Sequence, residues 1–144
     1  MLQLLNKLIG EIGWKREQVY ITNIVKRRPP DNRDPLPEEI DAYKPYLARQ
    51  IEIIQSPIIA TLGRFSMNYF LPKAKITRDE GKLFRANNYF IYPLFHPAAA
   101  LRNPATLDAL RKSFQRLPNA VQKAKELIQN TPPPEQETKQ EKLF

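Results

Sequence analysis

Three short runs of β-branched and aromatic residues, set between stretches of helical periodicity, constrain this chain more than any other feature. Residues 19–25 (VYITNIV), 58–62 (IIATL) and 89–95 (YFIYPLF) each have the length and composition of a buried strand. Between them the pattern is helical. Residues 2–12 form an amphipathic helix closed by Gly13, and a second helix runs from Pro37 to about Gln55. Short helical patterns follow at 65–70, 104–117 and 119–129, while 73–87 is polar and reads as an exposed connection or short hairpin. Strands alternating with helices predict an α/β fold, a three-layer α/β/α sandwich around a short parallel sheet. Gly63 opens a tight turn after the second strand. Pro93 assigns the third strand an edge position or an early end. Three strands are few for this architecture, and the chain opens on a helix, so the expected sheet lacks its first strand. The domain spans residues 1–129, and residues 130–144 form a proline-led, disordered tail.

Charge and cysteine usage narrow the chemistry. Lys plus Arg number 23 against 15 Asp plus Glu, a formal net charge of +8. Residues 131–144 hold three Glu and two Lys, which leaves +9 on the preceding 130 residues. An anionic partner therefore meets the body, and nucleic acid is the favoured class. Cysteine is absent and histidine occurs once, so these residues offer no disulfide, no thiolate metal site and no His-rich zinc site. No apolar run approaches the roughly 20 residues that span a bilayer, and the first residues do not resemble a signal peptide. The expectation is a soluble, cytoplasmic protein.

Two motifs close two different strands: TNIVK at 22–26 and HPAAALRNP at 96–104. In a parallel sheet both emerge on the rim where α/β proteins bind ligands. The amide of Asn23 and the imidazole of His96 then face one pocket beside a basic loop, which suits an enzyme that extrudes a base from DNA and reads its edge. With QLLNKLIGEIG, RPPDNRDP, PYLARQI, IIATLGRF and ITRDEGK in the same order, the chain resembles the carboxyl-terminal two-thirds of a family 4 uracil-DNA glycosylase.

That resemblance implies hydrolysis of the N-glycosidic bond of uracil in DNA, leaving an abasic site, in bacterial base-excision repair. Asn23 would accept from uracil N3–H and donate to O4, a pattern that cytosine reverses. His96 would face O2 and stabilise the charge that develops as the base leaves. The segment 98–103 resembles the loop that enters the minor groove, with Leu101 as the wedge and Arg102 as a phosphate or groove contact. The ordinary alternative packs Leu101 under the next helix and leaves Arg102 solvated. Lys26, Arg27, Arg28, Arg33 and Arg64 are candidate phosphate contacts.

Two departures from the family accompany these matches. Family 4 enzymes hold a [4Fe–4S] cluster, and two of its cysteine positions are occupied here by Arg27 and Tyr43, still 16 positions apart. The expectation is that the cluster has been lost and that no cofactor is used. The family's first segment, with its water-positioning acid and uracil-stacking aromatic, should precede Met1. A shortened reading frame, an expressed fragment and a protein that has lost catalysis are all compatible with that. The alternative function is therefore a catalytically inactive uracil- or DNA-binding remnant tethered to the sliding clamp.

The last five residues, Gln140-Glu141-Lys142-Leu143-Phe144, have the form Q-x-x-L-F. This resembles the short peptide by which bacterial repair and replication proteins bind the sliding clamp, with Gln140, Leu143 and Phe144 as its specified positions. The preceding prolines would hold it clear of the body.

Overall fold

The computed structural model describes residues 2–22, 36–86 and 88–130. The chain falls into two compact units, one formed by Met1–Gln18 with Pro57–Phe144 and the other by Val19–Ser56. No helix among the described residues is long and apolar enough to cross a membrane.

The larger unit begins with α1 (Leu2–Glu11). Leu5, Leu8 and Ile9 recur at helical spacing and are buried. The helix ends in a glycine turn: Gly13 takes a φ of 83°, its N–H donates to Gly10 O, and Trp14 N–H donates to Ile9 O. Those two bonds satisfy carbonyls that a helix end otherwise leaves open.

The sheet comprises β1 (Ile58–Leu62), β2 (Phe84–Ala86) and β3 (Tyr89–Leu94), in the order β1-β3-β2. β1 runs parallel to β3 with Ile58 opposite Phe90 and Leu62 opposite Leu94. β2 runs antiparallel to β3, with Phe84 opposite Ile91. The polar stretch after residue 73 thus ends in a short hairpin, and the sheet is mixed where an all-parallel one was expected.

Pro93 does not place β3 at an edge. β3 is the central strand, and Pro93 is fully buried. Its carbonyl accepts from Gly81 N–H at 2.7 Å, so its backbone points away from β1 and towards the β2 side. There β2 has already ended, with Phe84 opposite Ile91, and no ladder bond is lost for want of a proline N–H.

The other α-helices of this unit are α3 (Arg64–Phe70), the single turn α4 (Ile76–Asp79), α5 (Pro97–Arg102) and α6 (Pro104–Asn130). The sequence pattern breaks α6 at Pro118, whereas the structure carries one helix through it. Leu110, Phe114, Leu117, Ala120 and Ala124 are buried on both sides of the proline. One apolar stripe therefore fixes both halves in a common register, and its burial offsets the missing backbone bond. α1, α5 and α6 pack on one another, and α6 reaches β3. Tyr92 makes the buried polar link, its OH donating to Ser113 O at 2.7 Å. Arg111 adds a half-buried ion pair to Glu11 across α6 and α1 at 3.0 Å.

The smaller unit is built on a helix, α2 (Pro37–Ile54), close to the 37–55 span read from the sequence. Gln50 on this helix donates to Tyr20 OH at 3.1 Å and accepts from Thr22 Oγ1 at 3.4 Å. A strand was expected over 19–25. Its described part, residues 19–22, carries none and is held through these side chains, because β-propensity becomes a strand only where a neighbour supplies a ladder.

Removing the hydroxyl in Tyr92→Phe deletes this buried hydrogen bond between β3 and the Ser113 carbonyl of α6. A loss of about 1–2 kcal/mol in urea-denaturation stability is expected. An unchanged midpoint would show that this bond contributes nothing net to holding α6 on the sheet.

Candidate active site

β1 and β3 are parallel, so their carboxyl ends share one rim, and the two chain segments that leave it meet at Gly63 and His96. Gly63 N–H donates to Leu94 O at 2.9 Å, closing the β1–β3 ladder. Gly63 has a φ of 89°. A Cβ at this position would lie 3.2 Å from His96 Cβ and 3.3 Å from Cδ2. Glycine adopts this backbone without strain and leaves room for the close approach of His96.

His96 is fixed from its other side. It is the N-cap of α5, and its Nδ1 accepts from Ala98 N–H at 3.0 Å while Pro97 occupies the first helical turn. The same logic repeats seven residues on: Asn103 caps α6 by accepting from Ala105 N–H at 2.8 Å and Thr106 N–H at 3.2 Å, and Pro104 follows it. HPAAALRNP is therefore two successive helix starts. The segment 98–103, expected as a loop, lies almost wholly in α5 because each polar-residue–proline pair initiates a helix.

The cap determines the chemistry of the ring. An Nδ1 that accepts an N–H carries no proton, so the neutral imidazole holds its proton on Nε2 and offers it as a donor. Burial of the half-buried ring lowers its pKa below the ordinary 6.5. The result is a neutral, oriented N–H donor at the mouth of a parallel strand pair, suited to stabilising a developing anion without a proton transfer.

Arg64 follows Gly63 directly, is exposed, and lies with its guanidinium 4.6 Å from the Phe65 ring centre. Leu101 on α5 is 61% exposed, so it does not pack beneath the following helix; Arg102 beside it is also exposed. His96, Arg64, Leu101 and Arg102 thus belong to one unit. Asn23, Lys26, Arg27, Arg28 and Arg33 lie outside the described residues, as do Gln140, Leu143 and Phe144. Gly63 was singled out in the sequence only as a turn former. Its contact with His96 joins residues 33 positions apart and has no local signature.

Across the 2–123 span, the chain matches the family model of the Uracil DNA glycosylase superfamily. The chain belongs to this superfamily. It is 45% identical over 129 residues to the Type-4 uracil-DNA glycosylase of Saccharolobus solfataricus, covering 83% of this chain and 60% of that protein. Against the protein of the same name from Sulfurisphaera tokodaii it is 45% identical over 125 residues, 80% of this chain and 57% of the relative. Against that of Archaeoglobus fulgidus it is 36% identical over 124 residues, 80% and 62% respectively. The chain spans about 60% of the length of these curated relatives.

The iron–sulfur cluster that the family resemblance implies does not fit these residues. No cysteine occurs in the 144 residues. Tyr43, which the resemblance assigns to one of two ligand positions, is a half-buried phenol on α2 whose ring lies 6.4 Å from that of Tyr46. Neither it nor the guanidinium of Arg27 supplies a thiolate.

Because His96 is the chain's single histidine, its titration is read without assignment. NMR should place its midpoint below 6.5, with the neutral ring protonated on Nε2. The unfolded chain binds that proton more readily, so the stability linked to His96 is complete above about 6.5 and declines as pH falls through the folded value. A midpoint at or above 6.5, or a proton on Nδ1, contradicts this geometry. In Gly63→Ala the midpoint should move towards 6.5 and stability should fall by roughly 1 kcal/mol or more, reflecting the strained φ.

Proposed function

We propose that this chain excises uracil from DNA, hydrolysing the N-glycosidic bond and leaving an abasic site. The observation that carries the reading is the state of His96: capped at Nδ1, neutral, and presenting Nε2–H at the rim of a parallel strand pair. The Type-4 uracil-DNA glycosylase name of several relatives supports the substrate.

In this mechanism the nucleotide is turned out of the stack, and Asn23 holds the base by accepting from N3–H and donating to O4. The C1′–N1 bond breaks with its electron pair passing to the base, and His96 Nε2–H stabilises the negative charge at O2. Water adds to the oxocarbenium-like C1′ and loses a proton, the leaving base gains one, and the abasic sugar remains. Lys26, Arg27, Arg28, Arg33, Arg64 and Arg102 would hold phosphates, and the exposed Leu101 would fill the space vacated in the stack. No iron–sulfur cluster takes part. Arg27 contributes charge to DNA binding, and Tyr43 fills its former ligand position by packing.

The same reading extends to the chain terminus. Gln140, Leu143 and Phe144 would dock on a sliding clamp and tether the enzyme to replicating DNA. The Q-x-x-L-F form and the three prolines at 132–134 support it. Deleting residues 140–144 should abolish binding to an immobilised clamp and leave binding to DNA unchanged.

The decisive measurement is uracil release from a single-stranded uracil oligonucleotide by this chain and by His96→Ala. Losing one preorganised donor to a developing oxyanion lowers such rates by about 10²–10³, and that drop is expected here. Equal release by both proteins would remove His96 from the mechanism. Tight binding of the oligonucleotide with no release would replace excision by recognition alone.

A further inference from the structure

A groove of about 550 Å³ lies between α3 and residues 72–77, and its charge is one-sided. Arg64, Lys73 and Lys75 line it, Thr77 adds a hydroxyl, and no acidic side chain is among its lining residues. Arg64 adjoins Gly63, the residue against which His96 lies, so the groove opens one residue from the candidate active site.

The groove's walls are held by amide, carboxylate and backbone bonds, and Lys73 and Lys75 are exposed. Asn68 Nδ2 donates to the carbonyls of Leu71 at 2.9 Å and Ala74 at 3.1 Å, tying the 71–74 backbone to α3. Asp79, the neighbouring carboxylate, is already engaged. Its Oδ2 accepts from Lys75 N–H at 2.9 Å, and Arg78 clamps both oxygens from Nε and a terminal nitrogen, each at 2.9 Å. The hydrogen bond from Arg78, with that from Lys75 N–H, keeps this carboxyl ionised and its pKa below the usual range. A rigid backbone therefore displays exposed Lys73 and Lys75, while the local negative charge is spent on fixing that backbone.

We propose that this groove is the track for the backbone of the uracil-bearing DNA strand, with Lys73 and Lys75 as phosphate contacts that lead through Arg64 to His96. The proposal rests on the DNA-repair reading above and names a binding surface for it. A polyanion with evenly spaced charges fits an open groove lined by three cations better than a compact ligand, which needs enclosure.

The test measures binding of a uracil-free single-stranded oligonucleotide as a function of salt. The proteins compared are the full chain, Lys73→Gln/Lys75→Gln, the charge-preserving Lys73→Arg/Lys75→Arg, and Lys123→Gln/Lys125→Gln on α6, outside the groove. Each phosphate contact on a single strand contributes about 0.7 to the slope of log K against log salt. The Gln pair in the groove should lower the slope by about 1.4 and the affinity roughly twenty-fold at 0.1 M salt. The Arg pair should restore both, and the α6 pair should change neither.

An unchanged slope in the groove variant, an equal drop in the α6 variant, or no DNA binding by the parent chain would each overturn the proposal. Uracil release is scored separately. A chain that shows the predicted salt slopes but releases no uracil would retain the track and lose the excision reading. Excision with unaltered slopes would do the reverse.

Discussion

The hydrogen bond from Gly63 N–H to Leu94 O, 2.9 Å long, is the last rung of the β1–β3 ladder, and the candidate site hangs on it. It holds the exit of β1 against the exit of β3 and so brings Gly63 within contact of His96. A parallel pair is needed for this, since antiparallel strands would send the two ends to opposite rims. The glycine suits this place as well, because side-chain residues rarely adopt a φ of 89° and a Cβ here would sit tightly against the imidazole at 3.2 Å. One backbone bond thus converts a sheet edge into a surface on which a histidine can be oriented.

The segment between α3 and β3 depends on the same sheet in a different way. Gly81 N–H donates to Pro93 O on the side of β3 that β2 leaves free, and Ser113 Oγ donates to Glu80 Oε2 at 2.7 Å. The turn after α4 is therefore pinned to the central strand by its backbone and to α6 by a side chain. A Cβ on Gly81 would approach Arg116 to 2.6 Å and Ser113 Oγ to 2.9 Å, so the closeness of this packing is written in the glycine. Pro93 serves the arrangement because it accepts without offering a competing donor. The basic groove wall gains its rigidity from these long-range ties, since a four-residue helix such as α4 has little stability of its own.

The sequence made the local decisions readable and hid the long-range ones. Ile58–Leu62, α1 and α2 carry their own periodicity and punctuation, and they stand within a residue or two of where the pattern puts them. Pro93 misled because a proline's tolerance depends on whether a neighbouring strand still runs beside it, which composition cannot reveal. Pro118 misled for a related reason: the apolar stripe from Leu110 to Ala124 outweighs one absent bond. The α5 helix was legible in principle. His96-Pro97 and Asn103-Pro104 are both N-cap–proline pairs, and family resemblance to a loop concealed this local grammar. For the site, His96 and its strand-end position were visible in the motif. Its tautomer and its contact with Gly63 were not, because both follow from packing.

Folding and chemistry use different nitrogens of the same ring, and that division carries a consequence. The Nδ1 lone pair is committed to Ala98 N–H, so protonating His96 would set two N–H groups against each other and cost the cap as well as desolvation. Burial is what lowers the pKa of this residue, and accepting a hydrogen bond in the neutral form acts in the same direction. A donor kept neutral in this way needs no proton in flight to meet negative charge forming on a leaving group. It also draws no counter-ion of its own into the site. In the proposed mechanism the basic side chains would hold backbone phosphates, while the ring would act only on the atom where charge develops. The segregation follows from a histidine followed by a proline at the end of a parallel strand, with a glycine opposite.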